Sequence, residues 1–117
     1  MYGLPKDIDL NFFIDKELIQ VCLGEAQIIL NFFDQNIELN ITGAFTLNSK
    51  YYESQQDSKA GHLLYILLGK KVTKAGHGEG PGDLILDFED HNQLILHDDS
   101  EQFESYTFWS PEGLVVV

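Results

Sequence analysis

The sequence predicts an α+β fold, mainly β: two antiparallel β-meander halves forming a curved sheet or half-barrel around one central helix. Apolar and polar residues alternate with period two over long stretches, placing every second side chain on one face of a strand. The alternating pattern occurs twice, with the same residue types at matching places. Between the two copies lies one stretch with helical spacing.

The strand at 18–23 comes first, and a hairpin follows over residues 28–41. A second strand and hairpin occupy 70–75 and 84–97. The hairpins share the skeleton apolar-x-Leu-x-Phe-x-Asp-x-Asn, then apolar-x-Leu. Ile28, Leu30 and Phe32 fall on one face, as do Leu84, Leu86 and Phe88, and Asp-x-Asn tolerates a tight turn. The offset is 56 through Asn36 and Asn92; counting Gln93 as an added residue makes it 57 for Ile37/Leu94 and Leu39/Leu96. Two meanders on one plan suit a duplication, or the chance recurrence of a pattern that any hairpin needs; the shared structural reading is the same either way.

The helix is expected over residues 54–68. Ser54 and Asp57 are candidate N-caps, because their side-chain oxygens accept otherwise unpaired amide protons. Ala60, Leu63, Leu64 and Leu67 give the buried face, and Gly69 sits where a left-handed cap is wanted. Gly61 inside the helix costs up to ~1 kcal/mol against alanine. Beyond the second hairpin, 98–102 is a polar connection, 103–109 a strand, 110–113 a turn and 114–117 a last short strand rich in β-branched valine. The expected organisation is a single domain, 1–117. It comprises a first β-meander (18–47), the helix (54–68), and a second β-meander with a C-terminal hairpin (70–117).

A chain of 117 residues, 44% hydrophobic, can bury a core without disulfides or metals. Charge is its unusual property: seven lysines and no arginine oppose 19 acidic residues, giving −12. That balance repels phosphate backbones and anionic membranes, so no nucleic-acid or membrane partner is expected. The longest apolar run, residues 63–68, is far short of the ~20 needed to span a bilayer. The N-terminus lacks the basic start and apolar stretch of a secretory signal. A single cysteine, Cys22, suits a reducing compartment. A cytoplasmic protein is expected.

Chemistry finds little support in motifs. His77-Gly78-Glu79-Gly80-Pro81-Gly82-Asp83 contains His-x-Glu, but zinc deaminases also need paired cysteines, and the glycines match no phosphate-binding fingerprint. It reads as a flexible connection. His91 and His97 lie at opposite ends of a strand, about 20 Å apart by strand rise, too far to share one ion, and read as exposed. No Gly-x-Ser-x-Gly turn presents a nucleophile. Cys22, between Val21 and Leu23, reads as a small buried hydrophobe. No catalytic residue, metal or cofactor is expected.

The negative charge is concentrated. Residues 1–78 hold nine acids and all seven lysines; residues 79–117 hold ten acids and no lysine, a net −10. Asp87 and Glu89 alternate with Leu86 and Phe88 and so point outward. Such a surface suits a cationic partner, through faster encounter and salt-sensitive affinity. The expected contacts are Glu89, Asp90, Asp98, Asp99, Glu101 and Glu104, with Trp109 as an aromatic anchor.

The second meander resembles a group of small bacterial proteins defined by a domain of unknown function. The likeness rests on Gly69-Lys70-Lys71-Val72, on Asp83-Leu84-Ile85-Leu86-Asp87-Phe88-Glu89-Asp90 and on Phe103-Glu104-Ser105-Tyr106. It covers about residues 64–117. In that group an Asp-Gly turn and a tryptophan are usual where this chain has Asp90-His91 and Tyr106. In size, acidity and lack of catalytic motifs the chain also resembles, by type alone, the immunity proteins of contact-dependent growth inhibition and related toxin systems. This second likeness implies a non-enzymatic protein that binds a cognate basic toxin domain, often a nuclease, and occludes its cleft. Such a protein would be a monomer or weak dimer. The alternative is a structural or adaptor module whose acidity serves solubility.

Overall fold

Alternation sets the first layer of structure. In the computed structural model, which describes residues 4–33, 37–53, 60–98 and 105–117, β1 (Glu17–Leu23), β2 (Ile28–Phe33) and β3 (Ile37–Ile41) form an antiparallel meander. β4 (Phe45–Leu47) and β5 (Lys50–Tyr52) form a short hairpin. The plan then repeats: β6 (Val72–His77), β7 (Leu84–Phe88) and β8 (Asn92–Leu96) make a meander, and β9 (Tyr106–Ser110) and β10 (Gly113–Val116) a hairpin. The hairpins change sides. β4 pairs with β8 and β9 with β3, so the sheet orders are β1-β2-β3-β9-β10 and β5-β4-β8-β7-β6. Each half supplies three strands to one sheet and two to the other.

The register repeats in detail. Leu30↔Leu39 and Leu39↔Phe108 in one sheet match Leu86↔Leu94 and Leu94↔Leu47 in the other. A β-bulge interrupts β1 between Leu18↔Phe32 and Gln20↔Asn31, and β6 between Val72↔Phe88 and Lys74↔Asp87. A bulge inserts one unpaired residue and bends its strand, so its recurrence opposite Phe32 and Phe88 supports a duplication. These two phenylalanines stack on each other with centroids 6.3 Å apart, joining the halves at the core.

The register also corrects the predicted offset. Leu94 is the counterpart of Leu39, and Leu96 of Ile41, so the second hairpin loop is one residue shorter than the first rather than one longer. Asp90 and His91 make that shorter turn with positive φ of 63° and 62°, a geometry that Asp and His tolerate better than most non-glycine residues.

The inward residues of both sheets form one core that includes Leu18, Leu30, Phe32, Leu39, Phe45, Leu86, Leu94, Tyr106 and Phe108. Burying each such side chain contributes ~1.5–3 kcal/mol. At one edge the segments leading into β1 and β6 pair with each other: Leu18 N–H donates to Lys70 O and Val72 N–H to Lys16 O, both at 3.0 Å. At the opposite end of the strands the segments flanking the two crossings between sheets are joined, with Gly43 N–H donating to Ser105 O at 2.7 Å and His97 N–H to Ala44 O at 3.1 Å.

Several expectations change. The α+β, mainly β class is as expected, with the strands divided between two antiparallel sheets where one curved sheet or half-barrel was expected. The helix is a 3-10 helix, Ala60–Leu67, packed beside β1 rather than at the centre; Ser54 and Asp57 lie outside the described residues. Of the four expected buried positions Ala60, Leu64 and Leu67 are buried and Leu63 only partly so, while Gly61, Leu64 and Leu67 follow the three-residue period of that helix. Gly61 is needed where it stands, because a Cβ there would lie 2.8 Å from Leu23 Cδ2. Gly69 adopts φ +81° as the expected cap. The strands expected at 103–109 and 114–117 are β9 and β10, and Phe103 lies outside the described residues. The hairpin β4–β5 and the short helix Asn11–Phe13, whose Phe13 is fully buried, were not anticipated. Cys22 lies on the outer face of β1 and is only partly buried; Val21 is the core residue there.

Phe88→Ala removes one ring of the stack between the halves and should cost ~3–5 kcal/mol in denaturant unfolding, with a single cooperative transition retained. A loss below 1 kcal/mol would contradict this account of the core.

Candidate functional site

The expected contact residues do not converge. Glu89 and Asp90 sit at the β7–β8 turn, and Asp98 lies just beyond the other end of β8. Five strand residues and their flanks separate the two ends by about 20 Å. Trp109 projects from β9 in the other sheet, 60% exposed, next to Leu114 on β10. Asp99, Glu101 and Glu104 lie outside the described residues.

At the β7–β8 turn the acids meet lysines. Lys70 Nζ approaches Asp90 Oδ2 to 2.6 Å, and Glu89 Oε1 accepts from the backbone N–H of Lys71 at 2.7 Å. Lys74 is the cross-strand partner of Asp87. The hydrogen bond and charge of Lys70 hold the Asp90 carboxyl below its ordinary range. A groove of about 740 Å³ opens here, lined by residues that include Asn48, Ser49, Lys74, Asp87, His91 and Gln93. Its polar groups largely serve one another: Gln93 Nε2 donates to Asp87 Oδ1 at 2.9 Å, and Asn48 Oδ1 accepts from Gln93 N–H at 2.8 Å.

The opposite end is built around Asp83. Its Oδ2 lies 3.2 Å from His97 Nδ1, and His97 Nε2 lies 2.7 Å from Thr46 Oγ1. Three places in the chain converge: the residue before β7, the residue after β8, and the middle of β4. The glycine-rich segment is not a slack connection. Gly78 N–H donates to Asp83 O at 2.8 Å, and Asp83 N–H to Gly80 O at 3.1 Å. A Cβ on Gly78 would sit 2.6 Å from Asp83 Cβ, and one on Gly80 would sit 2.8 Å from Asp83 Oδ2. Gly82, at φ +81°, has Asp98 Oδ2 2.6 Å from where its Cβ would stand. The glycines let the loop close over two carboxylates.

His97 therefore differs from the exposed residue expected of it. Its side chain is 21% exposed and that of Asp83 15%, and the ring of Tyr51 lies 5.6 Å from the imidazole. Behind the loop the buried Tyr106 hydroxyl donates to Gly82 O. Burial first, then the nearby Asp98 and Asp83 carboxylates, push its ionisation far above the ordinary range. His91 and His97 do stand at opposite ends of β8, as their spacing requires.

Sequence reasoning missed this cluster because Thr46 comes from a hairpin that it did not recognise. Asn48-Ser49, flanked by Phe45, Leu47 and two tyrosines, was the available signal for a tight turn; both residues adopt positive φ. Comparison with known protein families, with characterised proteins and with solved structures finds no match.

Lys70→Met should return the Asp90 titration toward the ordinary aspartate range, as followed by carboxyl NMR; an unmoved titration would remove Lys70 as its cause. For Tyr106, the raised ionisation means that its contribution is fully present below pH ~10 and is lost as pH rises further. Tyr106→Phe should cost ~1 kcal/mol at neutral pH through the lost bond to Gly82. The difference from wild type should narrow above pH ~10. A gap that is constant with pH would contradict the linkage.

Proposed function

We propose that this chain is an immunity protein that binds a cognate bacterial toxin domain and occludes its basic cleft, a role that requires no catalysis of its own. The observation that supports this best is the sorting of charge over the fold. Lys70, Lys71 and Lys74 gather near the β7–β8 turn, where Lys70 pairs with Asp90, the Lys71 backbone N–H donates to Glu89 and Lys74 stands opposite Asp87 in the register. From Glu79 onward the chain has no lysine. Glu79, Asp83 and Asp98 belong to the opposite end of the second sheet, and Asp99, Glu101 and Glu104 follow Asp98 directly in the chain.

Gathering like charges costs stability through repulsion, and a cationic partner offsets that cost on binding. A toxin that acts on nucleic acid presents such a cationic cleft. In this reading Asp98, Asp99, Glu101 and Glu104 are the main charge contacts. Glu89 and Asp90, already engaged by Lys70 and Lys71, contribute at most at a separate rim. Trp109 beside Leu114 supplies an apolar contact on another face. Binding takes place in the cytoplasm and needs neither metal nor cofactor.

The test starts from the neighbouring genes: a large toxin gene directly upstream supports this reading and supplies the binding partner, whereas an operon of metabolic genes favours the adaptor reading. Association should slow at least tenfold between 50 mM and 500 mM salt, the screening expected of a steered encounter. Asp98→Lys, Asp99→Lys and Glu101→Lys together should slow it comparably at low salt. Salt-independent association, or unchanged binding by the triple variant, would exclude this surface and favour the adaptor reading.

A further inference from the structure

We propose that Thr46 is a base-activated hydroxyl that accepts acyl groups from activated esters and thioesters. This activity is separate from toxin binding and does not depend on it. The nitrogens of His97 are engaged in the order that such chemistry needs. Asp83 accepts from Nδ1–H at 3.2 Å, which fixes the tautomer and leaves Nε2 to accept the Thr46 hydroxyl proton at 2.7 Å. Nucleophile, base and orienting carboxylate are each one hydrogen bond apart.

The repeated plan of the two sheets provides an internal control. Gln27, Thr42 and Thr107 occupy the places in the first sheet that correspond to Asp83, His97 and Thr46 in the second. There Gln27 Oε1 accepts from Asn40 Nδ2 at 3.1 Å. The same architecture therefore closes without an imidazole or a carboxylate at these positions, so the fold does not require them. The second sheet nevertheless keeps a partly buried aspartate and histidine, with three glycines shaped around the carboxylates. Partial exposure of His97 and Thr46 leaves the pair open to a small acyl donor.

In the reaction, Thr46 Oγ1 bonds to the acyl carbon while its proton passes to His97 Nε2. The tetrahedral species collapses as the acyl–leaving-group bond breaks, and the leaving group departs with that proton. Water then attacks the acyl-threonine, again giving a proton to His97. Thr46 regains the proton as the carboxylic acid leaves. No oxidant or reductant is needed. Because these three groups include no dedicated donor for the oxyanion, the substrate class is acyl compounds with good leaving groups.

The full chain, incubated with p-nitrophenyl acetate at pH 8, should release nitrophenolate through a single acetyl adduct that peptide mass mapping places on Thr46. Thr46→Val and His97→Gln should each lower turnover about 100-fold, the low end for a positioned general base. Thr46→Ser should retain it. Acetylation confined to lysines, or full turnover by Thr46→Val, would overturn the proposal. The site of the wild-type adduct decides the matter even if a variant fails to fold.

Discussion

The exchange of hairpins between the two halves is the constraint on which the rest of the structure depends. A three-stranded meander with one apolar face cannot satisfy its free edge or cover its own core. Here β9 closes the β3 edge and β4 closes the β8 edge, so each half completes the sheet of the other. The stacked Phe32–Phe88 pair and the paired segments before β1 and β6 tie the same halves together elsewhere. No sheet belongs to one half alone.

The same exchange assembles the cluster of Thr46, His97 and Asp83. Thr46 belongs to the first half, Asp83 and His97 to the second, and they meet because β4 lies against β8. Tyr106 shows the reciprocal case: it is carried by a second-half strand within the first sheet, yet its hydroxyl reaches Gly82 in the loop over Asp83. The corresponding positions of the two sheets differ in chemistry: Gln27, Thr42 and Thr107 in one, Asp83, His97 and Thr46 in the other. Among the described residues, Lys70 pairs with Asp90 at one end of the second sheet, and Asp83 and Asp98 stand at the other.

Local pattern made much of the fold legible. Alternation located both meanders, and the matched Phe32 and Phe88 marked the repeat. Trp109 emerged exposed while Tyr106 and Phe108 went inward, as alternation allows. Pairing across the halves was not legible, because period-two strands say which face is apolar and nothing about which edge receives a partner. Three-residue strands such as β4 and β5 also fall below the length at which alternation is recognisable. Gly61 looked like a defect in a helix because its neighbour, Leu23, is remote in sequence. His97 looked exposed for the same reason: both of its partners arrive from elsewhere in the chain.

Native-state hydrogen exchange of the amides in β3, β4, β8 and β9 tests the interdependence of the halves most directly. If each half completes the other, the protected amides of all four strands exchange through one global opening, with a common free energy equal to that of unfolding. Protected amides of β3 and β9 exchanging at a free energy clearly different from those of β4 and β8 would show that the two sheets fold as separate units, and would contradict the account.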